Sequence, residues 1–287
     1  MAEENRDLYG KKIYFVSPPY SIRNHVIPLL RNMEYEVYII DNYRDLKNLL
    51  KKNPYSVCFI NLDAHLTTYG WYVFVDDFKD DEQLKEVTVG FISERISAGE
   101  KEYFLKNLQL KAGIINPSGV MNKIAEKIAD ILEMNSAKGR RQYVRANCLN
   151  DKTAVLFYTQ NNLLHQLKLV DISIVGAAVK LESNDDLPQV NSVIRSATLK
   201  LGTRQFIIDF VVFAIHQRGD RQLMITLFVP ETVGGSKTAI QEYIYDILQE
   251  QVMSEISSDK PDDKQYNQLG KSIAEAVHAQ EAAKKKK

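Results

Sequence analysis

The sequence has only two cysteines, no excess of charge of either sign and no long apolar run. Its two cysteines, Cys58 and Cys148, lie far apart without CxxC or CxxH spacing, which supports neither a disulfide framework nor a zinc site. Lysine plus arginine number 37, as do aspartate plus glutamate, so no overall field favours nucleic acid or an anionic membrane. We therefore predict that any anion site is local and that the chain does not bind DNA.

Membrane and export signals are missing as well. The longest apolar run, Phe206 to Ile215, is interrupted by Asp209 and is shorter than the roughly 20 residues that cross a bilayer. The charged N-terminus has no apolar segment of the kind found in secretory signals. These features predict a cytoplasmic protein without membrane insertion.

Sequence motifs of catalysis are also missing. There is no HExxH, HxH, GxSxG, P-loop or GxGxxG pattern. The five histidines are interpreted as structural or surface residues: His25, His65, His165, His216 and His278. An acidic cluster suits a solvated helical face better than a cation site: Asp76, Asp77, Asp80, Asp81 and Glu82. We predict a protein that is not an enzyme and that has neither cofactor nor metal.

The first half of the chain alternates β-rich runs with helical stretches. Five runs are predicted strands: Lys12 to Ser17, Glu36 to Ile40, Ser56 to Asn61, Val87 to Ile92 and Ala112 to Asn116. The stretches between them include three with helical spacing: Arg44 to Lys51, Gly99 to Leu108 and Val120 to Glu133. Strands separated by helices predict βαβ units and a doubly wound parallel α/β domain over residues 1–136. Pro28 should kink or delay the first helix.

The second half changes to a series of strands. A polar stretch around Gly139 marks the domain boundary, and the β-rich runs after it predict an antiparallel barrel or sandwich over residues 137–256. The predicted strands are Thr153 to Tyr158, Leu163 to Asp171, Ala177 to Leu181, Ser192 to Leu199, Gln205 to Ile215 and Gln222 to Val229. Gln217 to Asp220 is a hairpin turn signal.

A helix should follow this β-rich domain. It is predicted from Ser236, with an apolar face made of Ile240, Ile244, Ile247 or Leu248, and Val252. Residues 257–287 are polar, end in four lysines and have little to bury, which predicts a mobile tail.

Two groups of polar residues carry the functional prediction. One is a set of arginines in the segment RRQYVR, and the other is a set of small and acidic residues in DISIVG: Arg140, Arg141, Arg145, Asp171, Ser173 and Gly176. Arginine forks bind phosphate, pair with the O6 and N7 edge of guanine and stack on purines. Alternation along a strand puts the carboxylate and the hydroxyl on one face, where they suit the donors of guanine. Taken separately, each segment also fits a solvated linker or an ordinary turn.

Together the two motifs resemble the PilZ family, whose signature is RxxxR followed by D/N-x-S-x-x-G on a small antiparallel barrel. Arg141 and Arg145 match the first motif, and Asp171, Ser173 and Gly176 match the second. The resemblance covers about Gly139 to Glu255. It implies a cyclic di-GMP receptor whose arginine segment wraps over ligand on the outer face of the barrel. An arginine directly before RxxxR, as Arg140 is, implies an intercalated dimer of the ligand. The family also implies motility, adhesion or similar outputs through a downstream partner that the sequence does not reveal.

The N-terminal half resembles a response-regulator receiver domain in its βα alternation. Receivers carry acidic residues after the first strand, an aspartate ending the third and a lysine ending the fifth. Here the first strand runs into Ser17 and Pro18, the third ends at Asn61 or, in a shifted register, near Asp63, and the fifth ends at Asn116. The missing carboxylates and lysine imply a pseudo-receiver that is not phosphorylated. An unrelated flavodoxin-like domain explains the same alternation.

Two other functions remain open at this point. The barrel is either a cyclic di-GMP reader or, as the strongest rival, a PilZ-like protein-interaction module without nucleotide affinity. A third possibility, binding of RNA or single strands by the arginines and tyrosines, is disfavoured by the zero net charge.

Overall fold

The protein is described by a computed structural model over residues 9–181, 188–218, 221–256 and 263–284. It forms two compact units. The first contains residues 1–142 and 252–287, and the second contains residues 143–251. Arg140 and Arg141 therefore belong to the first unit and Arg145 to the second.

A five-stranded parallel sheet forms the centre of the first unit. Its strands are β1 (Ile13–Val16), β2 (Val37–Ile40), β3 (Val57–Asn61), β4 (Thr88–Ile92) and β5 (Ile114–Ile115). The strand order β2-β1-β3-β4-β5 is the flavodoxin-like doubly wound order, which flavodoxins and receivers share. The predicted parallel α/β sheet is confirmed, but this order does not distinguish a receiver from an unrelated flavodoxin-like domain.

The helices of this unit follow the strands. They are α1 (Ile27–Asn32), α2 (Leu46–Lys52), α3 (Thr68–Asp76), α4 (Ala98–Leu108) and α5 (Met121–Met134). Helical backbone begins at Tyr20, a π-helical turn, Ile22–Val26, follows, and Pro28 lies just after it in the first turn of α1. The predicted delay of the first helix is therefore not observed, and the irregularity is a π-turn directly before the proline.

One face of the sheet carries the best-defined core of the unit. Phe15 and Phe59, from adjacent strands, have ring centroids 5.1 Å apart. Ile27 from α1 and Ile128 from α5 pack in the same buried cluster. The α5 side chains that reach this core recur at helical spacing, as expected for a helix with one apolar stripe: Ile124, Ala125, Ile128 and Leu132.

Antiparallel strands form a closed barrel in the second unit. The strands are β6 (Ala146–Asn147), β7 (Val155–Gln160), β8 (Leu163–Ser173), β9 (Gly176–Leu181), β10 (Val193–Leu201), β11 (Arg204–Arg218) and β12 (Arg221–Phe228). The ring runs β8-β7-β10-β11-β12-β9 and closes by pairing of β8 with β9, while β6 pairs with the last part of β8, beyond the residues that pair with β7. The barrel resolves the predicted choice between barrel and sandwich. The β11–β12 hairpin pairs Arg218 with Arg221, and Gly219 and Asp220 of the predicted turn lie outside the described residues.

A short helix, α6 (Pro230–Val233), and a long one, α7 (Lys237–Ser254), follow the barrel. Ile240, Ile244 and Leu248 of α7 are buried, as the spacing predicted. Polar contacts also attach α7 to the barrel strands: the guanidinium of Arg204 lies 2.8 Å from Glu242 Oε2. The predicted helix after the barrel is confirmed.

The prediction of a tail with little to bury is wrong for one segment. Residues Asp263–Lys284 form helix α8, which packs on α3 within the first unit. Asn267 Oδ1 accepts a hydrogen bond of 2.8 Å from the backbone N–H of Thr67 at the start of α3. Residues 257–262 and 285–287 of the predicted tail lie outside the described residues. No helix in the described part of the chain is both long enough and apolar enough to cross a membrane.

Candidate functional site

The structure brings Arg145 of the first motif together with Asp171 of the second. Strand β6 pairs with β8 so that Ala146 lies opposite Ile172 and Asn147 opposite Asp171. Arg145, directly before β6, therefore arrives beside Asp171, with 3.6 Å between Nη1 and Oδ1. Their side chains are 42% and 35% exposed, so a ligand can reach both. A pair this exposed stabilises a fold by only about 0–1 kcal/mol, so the contribution of this ion pair to stability is small.

A break in the β8–β9 ladder lies next to Asp171. The register between the strands shifts between Leu169 and Asp171, so Val170 is the additional residue on β8. Bulges commonly redirect a side chain at the rim of a barrel. Beyond the bulge, Ile172 is fully buried while Asp171 stays partly exposed. The sequence motif alone did not predict the bulge.

Ser173 and Gly176 are used by the fold itself. Ser173 is 3% exposed and donates a hydrogen bond of 3.2 Å to the carbonyl of Gly176, its partner at the end of the β8–β9 ladder. A Cβ on Gly176 would lie 2.1 Å from the carbonyl oxygen of Thr226 on β12. Ser173, which the sequence predicts to present its hydroxyl together with Asp171, thus has that hydroxyl buried in the turn, and its contact with a ligand stays a prediction. The glycine is needed for close approach to a neighbouring strand rather than for a positive φ.

The chain after β6 is held in place by a partly buried polar cluster. Asp151 accepts a hydrogen bond of 2.6 Å from the hydroxyl of Tyr243 on α7 and one of 2.7 Å from the backbone N–H of Thr153. Burial works to raise the pKa of Asp151, but the hydrogen bonds from Thr153 and Tyr243 outweigh it and hold that pKa below its usual value. Burial also raises the pKa of Cys148 to about 12, so this thiol stays neutral and unreactive. These contacts fix the segment that positions Arg145.

Arg140 and Arg141 are described within the first unit. The guanidinium of Arg141 lies 4.0 Å from the ring centroid of Tyr9, a cation–π contact. Arg140 is exposed and lines a cavity of about 480 Å³ in that unit. The stacking partner Tyr9 was not predicted, since nothing in the sequence connects the two segments.

The receiver-like positions at the carboxyl edge of the sheet are occupied by internal contacts. Strand β3 ends at Asn61, whose amide donates a hydrogen bond of 2.8 Å to the carbonyl of Ser17. The carboxylate of Asp63 accepts hydrogen bonds from the hydroxyl of Ser93 (2.8 Å) and the backbone N–H of Glu94 (2.9 Å). The unphosphorylated pseudo-receiver stays a prediction.

Lysines face the acidic cluster singled out in the sequence. Asp77 lies 2.7 Å from the ammonium of Lys47, and Asp81 lies 2.6 Å from that of Lys51. Asp76 and Glu82 pair with lysines three residues further along the chain. Among the residues that the structure describes, no group of three or more His, Cys, Asp or Glu side chains could hold a metal ion.

Comparison with known proteins found similar chains among solved structures. No family model and no curated protein matches the chain. Several solved structures do match part of the chain. The matched part of the chain is similar to the PilZ domain of YcgR from Escherichia coli, solved with cyclic di-GMP, at 18% identity over 40% of this chain and 97% of that one, with a TM-score of 0.36.

Two further similar structures come from longer proteins. The inhibitor of motility MotI/DgrA of Bacillus subtilis is 23% identical over 38% of this chain and 51% of its own, with a TM-score of 0.32. The MrkH–cyclic di-GMP complex of K. pneumonia is 17% identical over 42% of this chain and 55% of its own, with a TM-score of 0.33. The match thus spans about half the length of these two proteins.

Proposed function

We propose that the protein is a cyclic di-GMP-binding signalling effector. The observation that carries the proposal is the meeting of Arg145 and Asp171, one residue from each motif, at 3.6 Å on the partly exposed edge of the barrel. An arginine fork suits a phosphate or the O6 and N7 edge of guanine, and a carboxylate suits the guanine N1–H and N2–H donors. A guanine nucleotide with phosphates satisfies both groups at once.

The other motif residues have two kinds of role in this proposal: the arginines supply charge, and Ser173 and Gly176 support the position of Asp171. Arg140 and Arg141 supply two more permanent positive charges, and Arg141 exchanges its contact with Tyr9 for one with the ligand. Ser173 and Gly176 close the β8–β9 turn and so keep Asp171 in place. Arg140, directly before RxxxR, favours an intercalated dimer of the ligand, which predicts more than one ligand per chain. Motility or adhesion is the proposed output, through a protein partner.

Calorimetric titration of the full chain with cyclic di-GMP tests the proposal. We expect saturable binding that Arg145→Ala and Asp171→Ala each weaken by at least about tenfold, because each removes a charge-assisted hydrogen bond of about 1.5–3 kcal/mol. Arg204→Ala is the matched control, since Arg204 also forms a half-exposed ion pair on the barrel, with Glu242. This variant should bind as the wild type does.

The result that would contradict the proposal is equally direct. A chain that stays folded and shows no heat of binding at saturating ligand does not read cyclic di-GMP. That outcome would favour the protein-interaction module. Oligonucleotide binding that falls steeply with added salt would instead favour a single-strand binder.

A further inference from the structure

The first unit contains a cavity that is separate from the site proposed on the barrel. Its volume is about 480 Å³, within the range of about 300–1,000 Å³ typical of small-molecule sites. The lining residues all belong to the first unit and include Gly10 and Lys11 before β1, Tyr55 before β3, and Lys138 and Arg140 after α5. The cavity therefore lies at the amino edge of the parallel sheet, whereas the receiver-like positions lie at the carboxyl edge.

Positive charge dominates this cavity. Lys11, Lys138 and Arg140 line it, and none of the described lining residues is a carboxylate. In the described part of the chain, neither of the two lysines forms an ion pair. The ammonium of Lys138 lies 4.7 Å from the ring centroid of Tyr35, in a cation–π contact that does not cancel its charge. The cavity thus presents positive charge that no described carboxylate neutralises.

The surroundings of Lys11 disfavour its charge. Burial lowers the pKa of this ammonium, and repulsion from Lys111 lowers it further. An anion bound in the cavity would offset both effects, because it supplies an opposite charge nearby. This distinguishes Lys11 from an exposed lysine, whose charge water already stabilises.

The backbone joins the two segments that carry the lysines. The N–H of Lys11 donates a hydrogen bond of 2.8 Å to the carbonyl of Ala137, which is 3% exposed. Gly10, at φ +77°, comes so close that a Cβ there would lie 2.7 Å from both the Ala137 carbonyl oxygen and the Gly139 nitrogen. The segments before β1 and after α5 therefore meet at one point, with a lysine on each. A cationic site built in this way needs little reorganisation to bind.

We propose that this cavity binds a small organic phosphate, with the phosphate group held by Lys11 and Lys138. A phosphate suits two ammonium groups because its charged oxygens accept several N–H hydrogen bonds at once, and a monoester carries a charge of about −1.5 to −2 near pH 7. A carboxylate would neutralise only one of the lysines. The cavity has room for more than the phosphate group, and Tyr55 can pack against the organic part. This site goes beyond the proposed function and does not involve the barrel.

Titration of the full chain with phenyl phosphate, followed by calorimetry, tests the inference. We expect saturable binding that Lys11→Met and Lys138→Met each weaken by about tenfold, the loss typical of one charge-assisted contact. Lys11→Arg should retain most of the affinity, since it keeps the positive charge and the long stem. Inorganic phosphate should bind severalfold less tightly, because it has no ring to pack against Tyr55. Thermal unfolding of each variant checks that the fold persists.

One control variant in each unit separates this site from other positive charges. Lys101→Met removes an exposed lysine on α4, and Arg204→Ala removes an arginine of the barrel; neither residue lines the cavity. Both variants should bind phenyl phosphate as the wild type does.

Four results would overturn the inference. They are the absence of saturable binding to the wild type, unchanged binding by both methionine variants, an equal loss in a control variant, and equally tight binding of inorganic phosphate, which would make the cavity an ion site. No step of this test uses cyclic di-GMP. The proposed function is therefore decided by its own titration, and failure of one leaves the other standing.

Discussion

At the scale of single residues, the second motif separates into a residue that is open to a ligand and residues that build the turn. Asp171 is partly exposed beside Arg145, whereas Ser173 is buried with its hydroxyl bonded to Gly176. Substitutions in the two groups should therefore affect different properties, ligand affinity in one and stability of the fold in the other. Asp171→Ala should remove affinity and leave the fold, while changes at Gly176 should act on the fold first.

Gly176→Ala tests the structural role of the motif glycine. Its Cβ would lie 2.1 Å from the Thr226 carbonyl oxygen, so β9 and β12 must move apart. We expect the free energy of unfolding to fall by roughly 1–3 kcal/mol or more, as in overpacked cores, measured by urea denaturation. Gly234→Ala is the control, because a Cβ there meets nothing within 4 Å. Equal stability of Gly176→Ala and the wild type would contradict this role.

At the scale of secondary-structure elements, helix α8 shows how a polar segment becomes ordered. Val277 is buried, and the ring of Tyr266 packs against that of Phe74 on α3, with the centroids 5.4 Å apart. The helix also crosses α3 closely, since a Cβ on Gly270 would lie 2.5 Å from the backbone N of Gly70. Asn267 adds its hydrogen bond to Thr67, and Tyr266 accepts one of 2.9 Å from Lys47. Periodicity reports none of these contacts, which explains why the tail prediction failed.

Gly270→Ala should detach α8 from α3. Alanine favours a helix over glycine by about 1 kcal/mol, so any loss of order must come from the lost crossing and not from helix propensity. We expect faster amide hydrogen exchange over residues 263–284, with the sheet of the first unit unchanged. Lys271→Ala, at an exposed neighbouring position, should leave the exchange as it is in the wild type. Unchanged protection in Gly270→Ala would show that the crossing does not hold the helix.

The whole molecule matters for the proposed mechanism, because the arginine segment joins the two compact units. Arg140 and Arg141 belong to one unit and Arg145 to the other. A ligand that binds all three would order the connection and change the arrangement of the units, a common way to turn binding into a new surface. This mechanism stays a proposal.

Small-angle scattering with and without ligand tests the mechanism. We expect saturating cyclic di-GMP to change the scattering profile of the wild type, because the arrangement of the units changes. Asp171→Ala, at concentrations where it does not bind, should show no change. Identical wild-type profiles with and without bound ligand would contradict the mechanism while leaving ligand binding itself intact.

The success of the sequence predictions follows the strength of the local pattern. The parallel strands and the six strands of the closed barrel were predicted from apolar β-rich runs, because a short run of apolar and β-branched residues indicates a buried strand whichever elements pack against it. The two-residue strand β6 is too short for any pattern. Helix α3 was not identified because it is buried on nearly every side and shows no polar stripe: Tyr69, Gly70, Trp71, Tyr72, Phe74 and Val75 are all buried.

The sequence by itself determined the fold class and the residue types of the candidate site. Periodicity specified the parallel sheet and the barrel strands, and the motifs specified the arginines and Asp171. Only the tertiary structure decided that Arg145 meets Asp171, that Ser173 is buried, and that Lys11 and Lys138 line one cavity with Arg140. The physical reason is that these contacts join segments far apart in the chain, and strand pairing and backbone approach, rather than local preference, set their distances.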